Sequence, residues 1–153
     1  MTTAPVRPRI IVRNSQRKVP VDVRALRRFA ERALQQAMKL PQRSRSAFAD
    51  LAEISATIVS DARMAAIHQR FLSIAGPTDV ITFQHGEIIV SAETARRNAG
   101  EYRTSPENEI RLYIIHGILH LMGFDDTTPA AARTMAKTQQ AILAAATGPQ
   151  SPA

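Results

Sequence analysis

Hydrophobic residues follow two different spacings along this chain, one typical of strands and one typical of helices. Short β-branched or alternating apolar runs predict four strands, at residues 9–13, 53–60, 80–84 and 87–91. The last two runs are separated only by a tight turn at His85-Gly86 and therefore predict a β-hairpin. Apolar residues spaced three and four apart predict five helices, at residues 22–40, 61–71, 91–102, 106–122 and 129–146.

Polar residues and prolines mark the ends of these helices. Asp22 is a favoured N-cap, and Ser105 followed by Pro106 combines an N-cap with a proline suited to the first turn. Gly123 supplies a C-terminal stop for the fourth helix. These residues therefore predict where the helices begin and end, independently of the apolar spacing.

Size and composition are those of one ordinary domain. The chain has 153 residues, of which 44% are hydrophobic, and this is enough for a real core. Interspersed strands and helices favour an α+β fold with a mixed sheet of about four strands flanked by helices. We expect a single domain over residues 1–146 and a disordered tail at residues 147–153.

Cysteine content and apolar runs narrow the class of protein further. The chain has no cysteine, which excludes a disulfide framework and a thiolate metal site. Neither an apolar run long enough to span a membrane nor a secretory signal is visible. The expectation is a cytoplasmic protein without a membrane partner.

Positive charge is concentrated in the first third of the chain. Residues 1–48 carry 12 Lys/Arg against 2 Asp/Glu, whereas the remainder carries 8 against 11. This asymmetry favours nucleic acid as a partner, although a solvated basic face would have the same composition. Arg24 and Arg28 fall on the basic side of the first predicted helix and are candidate contacts to RNA phosphates. Aromatic residues are few, which argues against extensive base stacking.

The segment HGILHLMGFDD, residues 116–126, carries the strongest chemical signal. His116 and His120 lie four apart on a predicted helix, so their imidazoles project from the same face and can bind one zinc ion. In the loop that follows, Asp126 can supply an oxygen ligand. Asp125 can accept a hydrogen bond from one of the ligating side chains. Three protein ligands leave a fourth position for water, as in catalytic zinc sites. We therefore expect one divalent ion, zinc in the first place, at the end of a central helix, and no nucleotide cofactor.

Two other interpretations of this segment are open. Two histidines in an apolar helix can also be hydrogen-bonded core residues without a metal. Gly117 argues against this, because a glycine costs a helix about 1 kcal/mol relative to alanine and indicates close approach by another group. The spacing also fits the HExxHxxGxxH frame of metzincin proteases, but Gly117 occupies the position of their catalytic glutamate. A zincin-like metalloprotease is therefore a minor alternative.

These motifs resemble those of the YbeY family, bacterial rRNA maturation factors described as single-strand-specific, zinc-dependent endoribonucleases. HGILHLMGFDD is similar to the family pattern HGxLHLxGYDH, and IHQRFLSIAGPTDVITF at residues 67–83 is similar to LNxxYRxxxxPTDVLSF. Residues 86–88 resemble the start of the family's GDI strand. The resemblance spans about residues 54–126. It implies a mixed sheet with surrounding helices, an exposed metal cleft, and ribosomal RNA or small-subunit precursors as partners in the cytoplasm.

Two positions depart from the family pattern. Asp126 stands where the family has its third histidine. A carboxylate ligand would weaken the ion as a Lewis acid, and it suits manganese or magnesium better than a third histidine would. Leu72 stands where the family has an arginine that the resemblance implicates in RNA handling. Arg70 and Arg63, on the same predicted helix, are the candidates to contact RNA in its place.

The leading hypothesis is a metal-dependent, single-strand endoribonuclease acting in rRNA maturation and ribosome biogenesis. Its metal ligands are His116, His120 and Asp126, and no general base is identifiable in the sequence. The alternative is a ribosome-assembly RNA-binding factor with a structural or vestigial metal site, which Leu72 and the basic first helix would also fit. Metal-dependent RNA cleavage distinguishes the two.

Overall fold

The computed structural model describes residues 8–41, 43 and 48–147. In chain order its elements are β1 (Arg9–Asn14), α1 (Val23–Ala37), a short 3-10 turn (Phe48–Asp50), β2 (Glu53–Val59), α2 (Asp61–Leu72), β3 (Val80–Phe83), β4 (Glu87–Ser91), α3 (Ala92–Tyr102), α4 (Pro106–Leu121) and α5 (Pro129–Thr147). The predicted tail at residues 147–153 lies outside the described residues except for Thr147, which is the last residue of α5.

The four strands form one mixed sheet in the order β1-β2-β4-β3. β1, β2 and β4 run parallel, whereas β3 pairs antiparallel with β4 and forms the predicted hairpin. Gly86 makes the tight turn possible, because its φ of +103° is strained for any residue with a side chain. The predicted α+β fold with a four-stranded mixed sheet is therefore confirmed.

Side-chain caps start the helices where the sequence predicts them. Asp22 accepts a hydrogen bond from the amide of Ala25, and Ser105 accepts one from the amide of Asn108. α1 ends at Ala37, three residues earlier than predicted, and Pro41 disfavours helical backbone at Leu40, the predicted last residue. The predicted loop at residues 41–50 ends in the 3-10 turn, which buries Phe48.

Two apolar layers pack on the two faces of the sheet. The larger core joins Ile54, Ile58 and Ile88 of the sheet to α1, α3, α4 and α5. The smaller core, on the opposite face, joins α2 to β2, β3 and β4 through four buried side chains, Val59, Met64, Ile81 and Ile89. Among the described residues, no helix has the length and apolar character needed to span a bilayer.

Helix α4 lies close against strand β4, and Gly117 is the reason. A Cβ at this position would lie 2.7–2.8 Å from three side-chain atoms of Ile88. The group that approaches Gly117 closely, as the sequence predicts, is therefore Ile88 of strand β4. The missing side chain lets α4 pack directly against the sheet. This packing fixes the position of the histidines on either side of the glycine.

Candidate metal centre

The candidate metal centre forms where α4 ends and the chain reverses. Met122 closes the helix, and Gly123 adopts a φ of +95°. The amide of Phe124 donates to the carbonyl of Leu119 at 3.0 Å, and the amide of Gly123 donates to that of His120 at the same distance. This turn carries the chain back along the last turn of the helix. Asp126 therefore arrives beside the histidines.

The side chains of His116, His120 and Asp126 converge on one point. The two Nε2 atoms are 2.9 Å apart. Asp126 Oδ2 lies 3.7 Å from Nε2 of His116, and Oδ1 lies 4.0 Å from Nε2 of His120. At metal–ligand distances of about 2 Å and tetrahedral angles, ligand atoms lie about 3.3 Å from one another. The three residues thus have the spacing of one mononuclear site.

Hydrogen bonds behind the rings fix both imidazoles as Nε2 ligands. Nδ1 of His116 donates to Oε1 of Gln139 on α5, and Nδ1 of His120 donates to the carbonyl of Phe124 at 3.1 Å. Because both partners are acceptors, the neutral rings direct two Nε2 lone pairs toward each other. Such a pair requires a cation or a proton between the nitrogens, and the residues therefore fit a metal ion.

The electrostatic setting of His120 favours the form that binds metals. Burial, together with the neighbouring His116, lowers the pKa of His120 below its ordinary value, although Asp126 opposes the change. The ring is therefore neutral at neutral pH, and only a neutral imidazole offers a lone pair to an ion.

The centre is open to solvent on one side. The side chains of His116 and His120 are 23% and 27% exposed, and that of Asp126 is 46% exposed. Both histidines line a cleft of about 280 Å³, which we call the metal cleft. Its other walls include Phe83 of β3 and Leu72 of α2. A structural zinc site is closed by four protein ligands, whereas this arrangement leaves room for a substrate.

The remaining predicted residues are placed as follows. Leu72 lines the metal cleft and leaves an apolar wall where the resemblance implies an arginine. Arg63 and Arg70 do not line that cleft but lie together along an adjoining groove. Arg24 and Arg28 are exposed on α1 and are not among the residues that line the metal cleft. Their contact with RNA stays a prediction.

Asp125 is not the acceptor that the sequence predicts behind the ligands. Its Oδ1 accepts hydrogen bonds from the amide and the hydroxyl of Thr127, at 3.1 and 3.0 Å, and these bonds lower the pKa of this fully exposed carboxylate. The acceptors behind the histidines are instead Gln139 and the carbonyl of Phe124. These hydrogen bonds of Asp125 therefore lie within its own turn and not with the rings.

Three residues near the centre have contacts that the sequence does not predict. Gln139 lies 23 residues from its partner His116, on a different helix. His68 is buried at the wall of the metal cleft, with Nδ1 2.9 Å from the carbonyl of Gly76, and thereby fixes the loop that precedes β3. The guanidinium of Arg43 lies 4.0 Å from the ring centre of Phe124, beside the ligand loop. None has a local spacing that would reveal it.

Comparison with known proteins identifies the family of this chain. A family model described as "Endoribonuclease YbeY" matches residues 11–147 of the chain. A protein named Endoribonuclease YbeY from Pelotomaculum thermopropionicum is 30% identical over 149 residues, covering 88% of this chain and 94% of that protein. One of the same name from Moorella thermoacetica is 37% identical over 112 residues, covering 61% of this chain and 72% of that protein.

A solved structure has the same fold. The solution structure of TM1509 from Thermotoga maritima matches with a TM-score of 0.64 and 24% sequence identity, covering 90% of this chain and 88% of that one. The resemblance to a family of hydrolytic nucleases that the motifs predict is thus confirmed at the level of sequence family and of fold.

Proposed function

Because this chain belongs to the endoribonuclease YbeY family, we propose that it is a metal-dependent endoribonuclease that cleaves single-stranded RNA. We further propose ribosomal RNA precursors as its substrate, ribosome biogenesis in the cytoplasm as its setting, and zinc as its ion. Family membership supports the nuclease activity. The ligand geometry supports the metal dependence.

The observation that carries the proposal is the convergence of three ligand atoms in an open cleft. His116, His120 and Asp126 each offer one atom, and these atoms all lie within 4.8 Å of one another. Two neutral nitrogens and one carboxylate oxygen suit zinc, and the single hard oxygen also tolerates manganese. When bound, such an ion would polarise a phosphoryl oxygen of the RNA and acidify a coordinated water.

The protein's own residues orient the reacting groups. Gln139 and the carbonyl of Phe124 hold the two rings in one tautomer, so that both Nε2 atoms face the cleft. Leu72 and Phe83 form an apolar wall beside them. An apolar wall limits the water around the scissile phosphate, and exclusion of water strengthens electrostatic contacts there.

The experiment is RNA cleavage by purified protein with and without metal. A labelled single-stranded RNA is incubated with zinc-loaded protein, with chelator-treated protein, and with His116→Ala. We expect cleavage that chelation abolishes, that added zinc restores, and that His116→Ala lacks. Equal cleavage by wild type and His116→Ala after removal of contaminating nuclease would contradict the proposal.

One observation favours a second candidate, a ribosome-assembly factor that binds RNA without cutting it. Leu72 is 48% exposed at the cleft wall, where it can neither contact phosphate nor stabilise developing charge. RNA binding that survives chelation, in a preparation without metal-dependent cleavage, would favour this second function.

A further inference from the structure

A second groove adjoins the metal cleft and has a different character. It lies between α2 and the strands β3 and β4 and has a volume of about 640 Å³. We call it the aromatic groove and define it by six of its lining residues, Arg63, Arg70, Phe71, Phe83, His85 and Glu87. The family resemblance assigns no role to this groove.

Three rings in the aromatic groove are held in fixed relation to one another. Phe71 and Phe83 pack edge to face with centroids 5.5 Å apart. Phe83 and His85 are nearly parallel, with an interplanar angle of 18° and centroids 5.6 Å apart. Phe71 is 58% exposed, although the burial of large aromatic side chains is normally favourable. Its exposed surface is available to a planar partner.

Positive charge accompanies the rings. Arg63 and Arg70 are both exposed, and neither forms a salt bridge with any residue in the described part of the chain. The guanidinium of Arg70 lies 5.4 Å from the ring centre of Phe71. Among the six residues of the aromatic groove, Glu87 carries the carboxylate. Its Oε2 lies 3.1 Å from Nε2 of His85 and is therefore paired with that ring. A groove of rings and unpaired guanidinium groups complements a polyanion that carries bases.

The groove is continuous with the metal cleft. Phe83 lines both, and the consecutive residues Phe71 and Leu72 line one each. A strand whose phosphate reaches the candidate metal centre can therefore extend over Phe83 into the aromatic groove. Neither a protein partner nor a lipid surface explains a row of stackable rings beside unpaired arginines as directly.

We infer that the aromatic groove binds the single-stranded RNA next to the phosphate that is cleaved. Bases stack on Phe71 and His85, and Arg63 and Arg70 contact the backbone. This inference rests on the proposed function for its choice of RNA as the occupant. It also accounts for Leu72, since the backbone contacts that an arginine there would make are transferred to Arg70 and Arg63, earlier on α2 and in the neighbouring groove.

The test measures RNA binding separately from cleavage. Anisotropy of a fluorescein-labelled single-stranded RNA of about 12 nucleotides, within the usual range of single-strand site sizes, is recorded in chelator for wild type, Phe71→Ala and Phe71→Trp. Metal-dependent cleavage cannot occur under these conditions. We expect roughly tenfold weaker binding for Phe71→Ala and wild-type binding for Phe71→Trp, since stacking is tolerant of the ring's identity. The matched control is Tyr102→Ala, which removes a comparably exposed ring, 63% exposed, at the end of α3 and outside the residues that line the metal cleft and the aromatic groove.

Salt dependence tests the arginines. Removal of one arginine–phosphate interaction should reduce the slope of log affinity against log salt by about 0.7 for a single strand. We expect Arg63→Gln and Arg70→Gln each to do this. Arg103→Gln at the C-cap of α3, an exposed arginine outside the residues that line the metal cleft and the aromatic groove, should leave the slope unchanged.

The outcomes separate this inference from the proposed function. One outcome is that the wild type cleaves RNA while Phe71→Ala and both arginine variants bind RNA as tightly as the wild type. This would overturn the inference and leave the proposed nuclease activity standing. Weakened binding in these variants, with no cleavage by wild type under any metal, would support the groove and overturn the nuclease. A folding defect in Phe71→Ala would be visible as lost helicity, and Phe71→Leu, which keeps the apolar volume but not the ring, would then replace it.

Discussion

Gln139 of α5 accepts a hydrogen bond from Nδ1 of His116 on α4, so the last helix of the chain orients one of the two imidazole ligands. Removal of such a partner typically lowers metal affinity about 10- to 100-fold. We expect Gln139→Ala to lower zinc affinity in this range, as measured by competition with a chromogenic chelator. Gln140→Ala, which changes an exposed neighbour on the same helix, is the control. Equal affinities in the two variants would show that the hydrogen bond does not orient His116.

Asp126 should decide which ion is preferred. Its carboxylate is the only hard ligand in the group. We expect Asp126→Ala to lower zinc affinity, and Asp126→His to retain zinc while losing affinity for manganese. Competition titrations with both ions measure this. Asp125→Ala is the matched control, because that carboxylate bonds only to Thr127 in the described contacts, and an equal loss of metal binding there would contradict the assignment of Asp126.

Gly117 should be intolerant of alanine. The added methyl group would collide with Ile88, and overpacking of this kind costs about 1–3 kcal/mol, more than the gain of up to about 1 kcal/mol in helix propensity. We expect Gly117→Ala to lower the unfolding midpoint in urea. Gly100→Ala on α3, where nothing lies within 4 Å of the new Cβ, should raise it.

The double variant checks the cause of the Gly117 effect. In an Ile88→Ala background the methyl group meets an empty space, so the penalty of Gly117→Ala should shrink. Strictly additive free energies of unfolding would mean that the collision with Ile88 is not responsible.

Asp61 should make stability depend on pH. Burial raises the pKa of its carboxyl, but hydrogen bonds from Arg97, Ser91 and Thr94 outweigh this and lower it below the ordinary value of 3.8. A lowered folded-state pKa contributes stability that is present above the unfolded-state value and is lost as the pH falls through the folded-state value. The contribution is therefore complete at pH 7 and declines below about pH 4.

Asp61→Asn measures that contribution. Loss of a charge-assisted bond to Arg97 should reduce the free energy of unfolding by roughly 1–3 kcal/mol at pH 7. The difference from wild type in urea unfolding should narrow at pH 3. Asp22→Asn, which keeps an N-cap at an exposed position, controls for the loss of one surface charge. A difference that is constant between pH 3 and pH 7 would exclude the ionised carboxylate as its cause.

Local features of the fold and site could be predicted because local residues determine them. Asp22 and Ser105 start their helices through bonds to amides three residues away, and the histidine pair needs only one turn of helix to converge. Asp126 follows from the reversal at Gly123. Each of these relations lies within one short stretch of chain.

Relations between distant segments could not be predicted. The strand order β1-β2-β4-β3, the approach of Ile88 to Gly117, and the bond from His116 to Gln139 all depend on packing that no local spacing encodes. Asp125 shows the converse: its closeness in sequence to the ligands suggests that it supports them, but its hydrogen bonds go to Thr127.

The three candidate ligands all lie within residues 116–126, and this has a consequence for local stability. An ion bound there would join the last turn of α4 to the loop that follows it, and through Gln139 to the middle of α5. Binding to the folded state alone stabilises only the conformations that keep the ligands together. Amide protons of these two helix segments should therefore exchange faster after chelation, while those of the β1-β2 ladder keep their protection.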